Sequence, residues 1–196
     1  KSAPPTGKSR LVVPGQQVHA RSMTLASDDK VLILFRHAKA EQVLGKPDHE
    51  RELTPRGRRD ARETGRWLHE HELGAELVLC STSTRTRQTW SAAAEGGACG
   101  ETVEYDPGVY SGGERGVLEL IRESAGEAQV VMVVGHNPTM AMLASALSDG
   151  NGSSQAHECL AAGFPTSTVA VLRYAGPWHA LDHGTAALDR CHTSRG

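Results

Sequence analysis

The sequence predicts an α/β fold, a three-layer α/β/α sandwich around a mainly parallel central sheet. Three observations carry this expectation. Short apolar runs of strand length, at residues 31–35, 77–80 and 130–134, alternate with longer amphipathic stretches, as expected of βαβ units. The runs are continuously apolar, the pattern of strands covered on both faces. The stretches between them open on helix signals, since Thr54-Pro55 and Asn137-Pro138 each set a capping side chain before a first-position proline.

Taken in order, residues 1–28 are rich in Pro, Gly, Ser and basic side chains without a sustained period, and they read as a disordered leader or an extended N-terminus. A single domain is expected over 29–190, with 191–196 as a tail, because 196 residues suffice for one substantial core. After the strand at 31–35, the cap at Thr54 starts a helix that runs through Ala61, Thr64 and Leu68 towards His71 and stops before Gly74. The strand at 77–80 leads into a helix over 84–94. The glycine-rich stretch 96–113 leaves room for a short strand at 102–105, and a helix follows over 114–124. The strand at 130–134 is followed by a helix opened by Asn137-Pro138 and carrying Met140, Leu143 and Leu147. Residues 149–157 read as a polar loop. Residues 168–174 and 178–182, joined by Ala175-Gly176-Pro177, are expected to close the sheet as a hairpin.

Bulk properties exclude several classes of function. With 21 basic and 23 acidic residues, the net charge of −2 supplies no general field for nucleic acid or an anionic membrane. The apolar runs are too short to span a bilayer. Cys80, Cys99, Cys159 and Cys191 form no C-x-x-C pair or zinc-like spacing, which fits reduced thiols and a cytoplasmic protein better than a disulfide framework. No metal or other cofactor is expected. His69 and His71 lie two apart on a helix and point to different faces, which spoils a shared metal site.

The chemistry sits where the strands end. Arg36-His37 follows the first, Ser81 and Arg85 the second, and Gly135-His136 the third. In an open α/β sheet the carboxyl edge is where ligands bind, so topology alone brings two Arg and two His towards one pocket. That set suits a dianionic phosphoryl group, with guanidinium forks on its oxygens and imidazolium as a further charged donor. Ser81 either donates to the phosphate or holds its turn. Asp48 and Arg51 either order a loop over the pocket or pair near a helix start.

Four ordered motifs resemble the histidine phosphatase superfamily, which includes the phosphoglycerate mutases, and within it the small SixA-type phosphohistidine phosphatases. They are Arg36-His37-Ala38-Lys39-Ala40-Glu41, Asp48-x-x-Arg51-x-Leu53-Thr54-x-x-Gly57, Ser81-x-x-x-Arg85-x-x-Gln88-Thr89 and Gly135-His136-Asn137-Pro138. The resemblance implies a phosphoglycerate mutase-like fold with His37 as nucleophile and Arg36, Arg85 and His136 as the catalytic clamp. Ser81 and Asn137 join Arg36, Arg85 and His136 as expected substrate contacts. It further implies a cofactor-independent phosphatase forming a covalent phosphohistidine, acting on a phosphorylated protein or a small phosphorylated molecule. Phosphomonoesterases of the superfamily protonate their leaving group with a carboxylic acid, and Glu104, Asp106 and Glu114 are the candidates, none in a matching context. An acid-poor site favours a P–N substrate such as phosphohistidine. The alternatives are a general phosphomonoesterase on small metabolites or phosphoproteins, and an inactive phosphate-binding regulatory module.

Overall fold

In the computed structural model, residues 9–12 and 29–196 are described. An eight-stranded sheet runs in the order β1-β4-β3-β5-β2-β7-β8-β6. Its central strands β4 (Gly100–Asp106), β3 (Ala75–Ser81), β5 (Val130–Gly135) and β2 (Lys30–Arg36) are mutually parallel. On one side of them β7 (Thr168–Tyr174) pairs antiparallel with β2, and β8 (Ala186–Thr193) pairs antiparallel with β7. On the other side β1 (Ser9–Val12) adds an antiparallel edge to β4.

Both sheet faces are covered, and the strand sequences show why. Along β2, Leu32 and Leu34 join one cluster with Leu118, Ile121, Met140, Leu143 and Leu147, whereas Ile33 and Phe35 join another with Leu68, Trp90 and Ala93. Side chains alternate between faces with period two, so a strand buried on both sides must be apolar throughout. The first cluster lies under α4 (Gly113–Ser124) and α5 (Thr139–Leu147). The second lies under α1 (Pro55–Glu70) and α2 (Thr84–Glu95). These are the three layers expected. The caps of the first two helices also form: Thr54 accepts from Gly57 N, and Ser83 accepts from Thr86 N.

Several expectations need correction. The run at 178–182 is no strand: Trp178–Ala180 is a 3-10 turn whose Trp178 is 1% exposed and donates Nε1–H to the Ala128 carbonyl at 2.6 Å. Its apolar residues plug the core, and the hairpin partner of β7 is β8 instead. β8 was hidden by its charges, of which Asp189 is neutralised by Arg173 at 2.8 Å. The polar stretch 149–157 holds β6 (Ser148–Gly152) and the start of α6 (Ser154–Ala161), whose cap is Ser153, accepting from Ala156 N. Cys159 and Cys191 form a disulfide with Cα atoms 5.9 Å apart, while Cys80 and Cys99 are free thiols. Packing of α6 against β8 creates that proximity, which a separation of 32 residues does not announce. The strand β8 continues past residue 190 to Thr193, and Gly196 N donates to Asp60 Oδ1. No helix among the described residues is long and apolar enough to cross a membrane.

Candidate active site

The parallel register places the three strand ends side by side. Arg36 is opposite Gly135, and Cys80 opposite Val134, so the residues that follow β2, β3 and β5 emerge at one sheet edge. There the His37 and His136 rings lie 5.1 Å apart between centroids, and Arg85 Nε–H reaches His37 Nε2 at 3.3 Å. His37, Arg85 and His136 are thus brought together as the sequence predicts.

Buried backbone and side-chain bonds hold His37 in place. Its N–H donates to the Gly135 carbonyl at 3.0 Å, tying β2 to β5. Next to it, Ala38 N–H donates to Thr89 Oγ1, whose hydroxyl donates to the Arg85 carbonyl at 2.6 Å. Thr89 therefore sets the spacing between the loop of His37 and the first turns of α2, which carries Arg85. Gln88, its neighbour, accepts from Leu53 N at 2.8 Å. Thr54 N and Oγ1 both donate to the Lys39 carbonyl, which lies so near α1 that a Cβ on Gly57 would come within 2.1 Å of that oxygen. The glycine and threonine of the second motif are thus packing requirements of the loop after His37.

The imidazole of His37 has a defined tautomer. Nδ1 is 2.8 Å from the Ala38 carbonyl oxygen, which can only accept, so Nδ1 carries the proton and Nε2 keeps its lone pair. Burial lowers the pKa of His37 to about 4. The carbonyl bond opposes this, and the positive charges of Arg85, Arg36 and Arg51 add to it. His136 is lowered to about 3, chiefly by burial and then by the charges of His37 and Arg85. Both rings of the protein by itself are neutral near pH 7. Burial is the larger cause for each ring, and the charge of Arg85 adds to it in both.

The remaining expected residues fall into two groups. Arg36 Nη1 donates to the Phe164 carbonyl at 2.6 Å, while its Nε is buried and meets no protein partner. Asn137 does not cap α5: Pro138 is the N-cap, and Asn137 Nδ2 donates to the same Phe164 carbonyl at 2.8 Å. Ser81 is fully buried, with Oγ 2.8 Å from His136 Nε2, so it stands behind that ring. Among the acid candidates, Asp106 Oδ1 accepts from Gly108 N and Glu114 binds His183 at 2.7 Å. Glu104 lies in β4, paired with Leu79 and Arg10.

The carboxylate that does meet the clamp is Asp48. Its Oδ2 accepts from Arg85 Nη2 and from Tyr110 OH, both at 2.8 Å, and its Oδ1 accepts from Arg51 Nη1 at 2.7 Å. These bonds, with Arg51 first, then Tyr110, then Arg85, hold its carboxyl well below the usual carboxylate range. Tyr110 also sets its ring edge-on to His136 at 5.3 Å. Asp48 was legible as part of a motif. Tyr110, in the short helix α3 (Gly108–Ser111), left no signal in the sequence because its role depends on where α3 packs. Among the described residues no group of three His, Cys, Asp or Glu side chains is placed to hold a metal ion.

Comparison with known proteins fits this geometry. The model of the histidine phosphatase superfamily (branch 1) matches residues 32–110. An uncharacterized protein of Mycobacterium tuberculosis is 38% identical over 162 residues, covering 82% of this chain and 100% of the relative. A solved structure from Nakamurella multipartitia, bearing the name phosphohistidine phosphatase SixA, is 34% identical with a TM-score of 0.73, covering 85% of this chain and 96% of that one. A second of that name, from Agrobacterium tumefaciens, is 31% identical with a TM-score of 0.67, covering 83% and 97%.

Proposed function

The chain belongs to the histidine phosphatase superfamily, in its SixA-like subgroup, and from that premise we propose that it hydrolyses phosphohistidine on proteins through a covalent phosphohistidine on His37. The observation that carries this reading is the His37 ring. Its proton is held on Nδ1 by the Ala38 carbonyl, and its Nε2 lone pair lies beside Arg85. A neutral nitrogen so oriented attacks phosphorus in line, and the bond from phosphorus to the leaving group breaks as the Nε2–P bond forms. Arg85 and Arg36 neutralise charge on the equatorial oxygens, and Arg36 Nε, a buried donor without a protein partner, suits such an oxygen. Water then attacks the phosphohistidine, releasing phosphate and restoring the ring.

The carboxylates around the site support a P–N substrate. Asp48 is held ionised by Arg51, Tyr110 and Arg85, so it has no proton to give a leaving alkoxide. Asp106 and Glu114 are engaged in a turn and with His183. An imidazole leaves with less help than an alkoxide. The names carried by the two solved relatives agree with a phosphohistidine substrate.

Brief incubation with a labelled phosphodonor is expected to give an acid-labile, base-stable phosphoenzyme that His37→Ala abolishes; turnover retained in that variant would refute the mechanism. Hydrolysis of a phosphohistidine peptide should outpace that of an alkyl phosphate. Equal rates would make the protein a general phosphomonoesterase with an acid still to be found.

A further inference from the structure

Arg85 is a buried cation that must stay oriented whether or not a phosphoryl group is present. Its side chain is only 6% exposed, and a charge so placed needs a partner inside the protein. Asp48 supplies it twice, with its carbonyl on Nη1 at 2.5 Å and its carboxylate Oδ2 on Nη2 at 2.8 Å. Binding of both terminal nitrogens by one residue grips the planar guanidinium end-on. The edge bearing Nε–H then faces His37 Nε2, at 3.3 Å. Of the five N–H groups of an arginine, three are so used and two are left for the oxygens of a phosphoryl group.

Asp48 is itself anchored from two sides. Arg51, in the same segment, donates Nη1–H to Oδ1 and sends Nε–H to the Glu41 carbonyl at 2.7 Å. Tyr110, 62 residues away in α3, donates its hydroxyl to Oδ2 and rests its ring against His136. One carboxylate thus joins the segment around residue 48, the first turn of α2 and α3.

We propose that Asp48 is the positioning residue that aims Arg85 at the phosphoryl group on His37, with Tyr110 fixing Asp48. This rests on the phosphatase reading above. It opposes a simpler alternative, in which the Asp48 carboxylate occupies the arginine and competes with phosphate. The two differ in sign, because removing a competitor strengthens anion binding and speeds turnover, whereas removing a positioner slows turnover and does not strengthen binding.

The test measures kcat and KM on an aryl phosphate, and inhibition by inorganic phosphate, for wild type, Asp48→Asn, Tyr110→Phe and the double variant. Asp48→Asn is expected to lower kcat about ten-fold or more without tightening the inhibition constant for phosphate. Tyr110→Phe is expected to lower kcat about three-fold in the wild type and to have no effect on the Asp48→Asn background. A tighter phosphate constant, a kcat within about two-fold of wild type for Asp48→Asn, or an undiminished Tyr110→Phe effect in the double variant overturns the proposal. Should Asp48→Asn fail to fold, the Tyr110→Phe value decides alone, and an unchanged kcat refutes it. The same constants are taken on a phosphohistidine peptide, and absence of wild-type turnover on both substrates overturns the phosphatase reading instead, so the two failures are distinguishable.

Discussion

Replacing His37 by asparagine should flatten the dependence of stability on pH between 7 and 5. In the folded protein the pKa of His37 is about 4, against 6.5 for a free imidazole. As pH falls below 6.5 the unfolded chain takes up a proton that the native ring refuses, so unfolding becomes easier. The loss grows at up to about 1.4 kcal/mol per pH unit and levels off below pH 4, where the native ring is charged as well. Integrated from pH 7 to pH 5 this amounts to about 2 kcal/mol from His37 alone. Asp48 does not confuse the measurement, because a carboxyl held below its usual range gives up stability only at lower pH. His136 changes in the same sense as His37 and stays in the variant, which should therefore keep a residual slope. Urea unfolding followed by tryptophan fluorescence at pH 7, 6 and 5 gives the comparison. A variant that loses as much stability as the wild type over this range would refute the assignment of His37 as a buried neutral imidazole.

Three further outcomes follow from the site. The acid limb of kcat/KM assigned to His37 should fall near pH 4 and not near 6.5, so that turnover of an aryl phosphate persists at pH 5.5; a midpoint near 6.5 would mean that the ring is solvated. Thr89→Val should cost about 1–3 kcal/mol in chemical denaturation, because the Ala38 N–H is left buried without an acceptor, and should reduce kcat by loosening His37 against Arg85. Gly57→Ala should lower stability by roughly 1–3 kcal/mol, since the new Cβ meets the Lys39 carbonyl at 2.1 Å and backbone must move; unchanged thermal unfolding would show that α1 slides freely over that loop.

The sequence by itself determined the layered α/β architecture and the edge at which the candidate site lies. Continuous apolar runs are legible because a strand buried on both faces tolerates nothing else, and Arg36, His37, Arg85 and His136 follow such runs directly. It determined less well the elements whose character depends on neighbours. Asp189 can sit in β8 because Arg173 on the adjacent strand neutralises it, and Trp178 leaves the surface because Ala128 offers it an acceptor. The Cys159–Cys191 pair likewise exists only through the packing of α6 on β8.

Within the site, the residue types were readable and their protein partners were not. Asn137 and Ser81 were expected as substrate contacts; the fold adds a bond from Asn137 to the Phe164 carbonyl and one between Ser81 and His136. Asp48 and Tyr110 lie 62 residues apart and meet on Arg85 only because α3 packs beside the segment that carries Asp48. The protonation of His37 was decided at the same level. Histidine in a sequence is a group of ordinary basicity; burial beside Arg85 and Arg36, with Nδ1 bound to a carbonyl, makes it a neutral imidazole whose Nε2 lone pair faces Arg85.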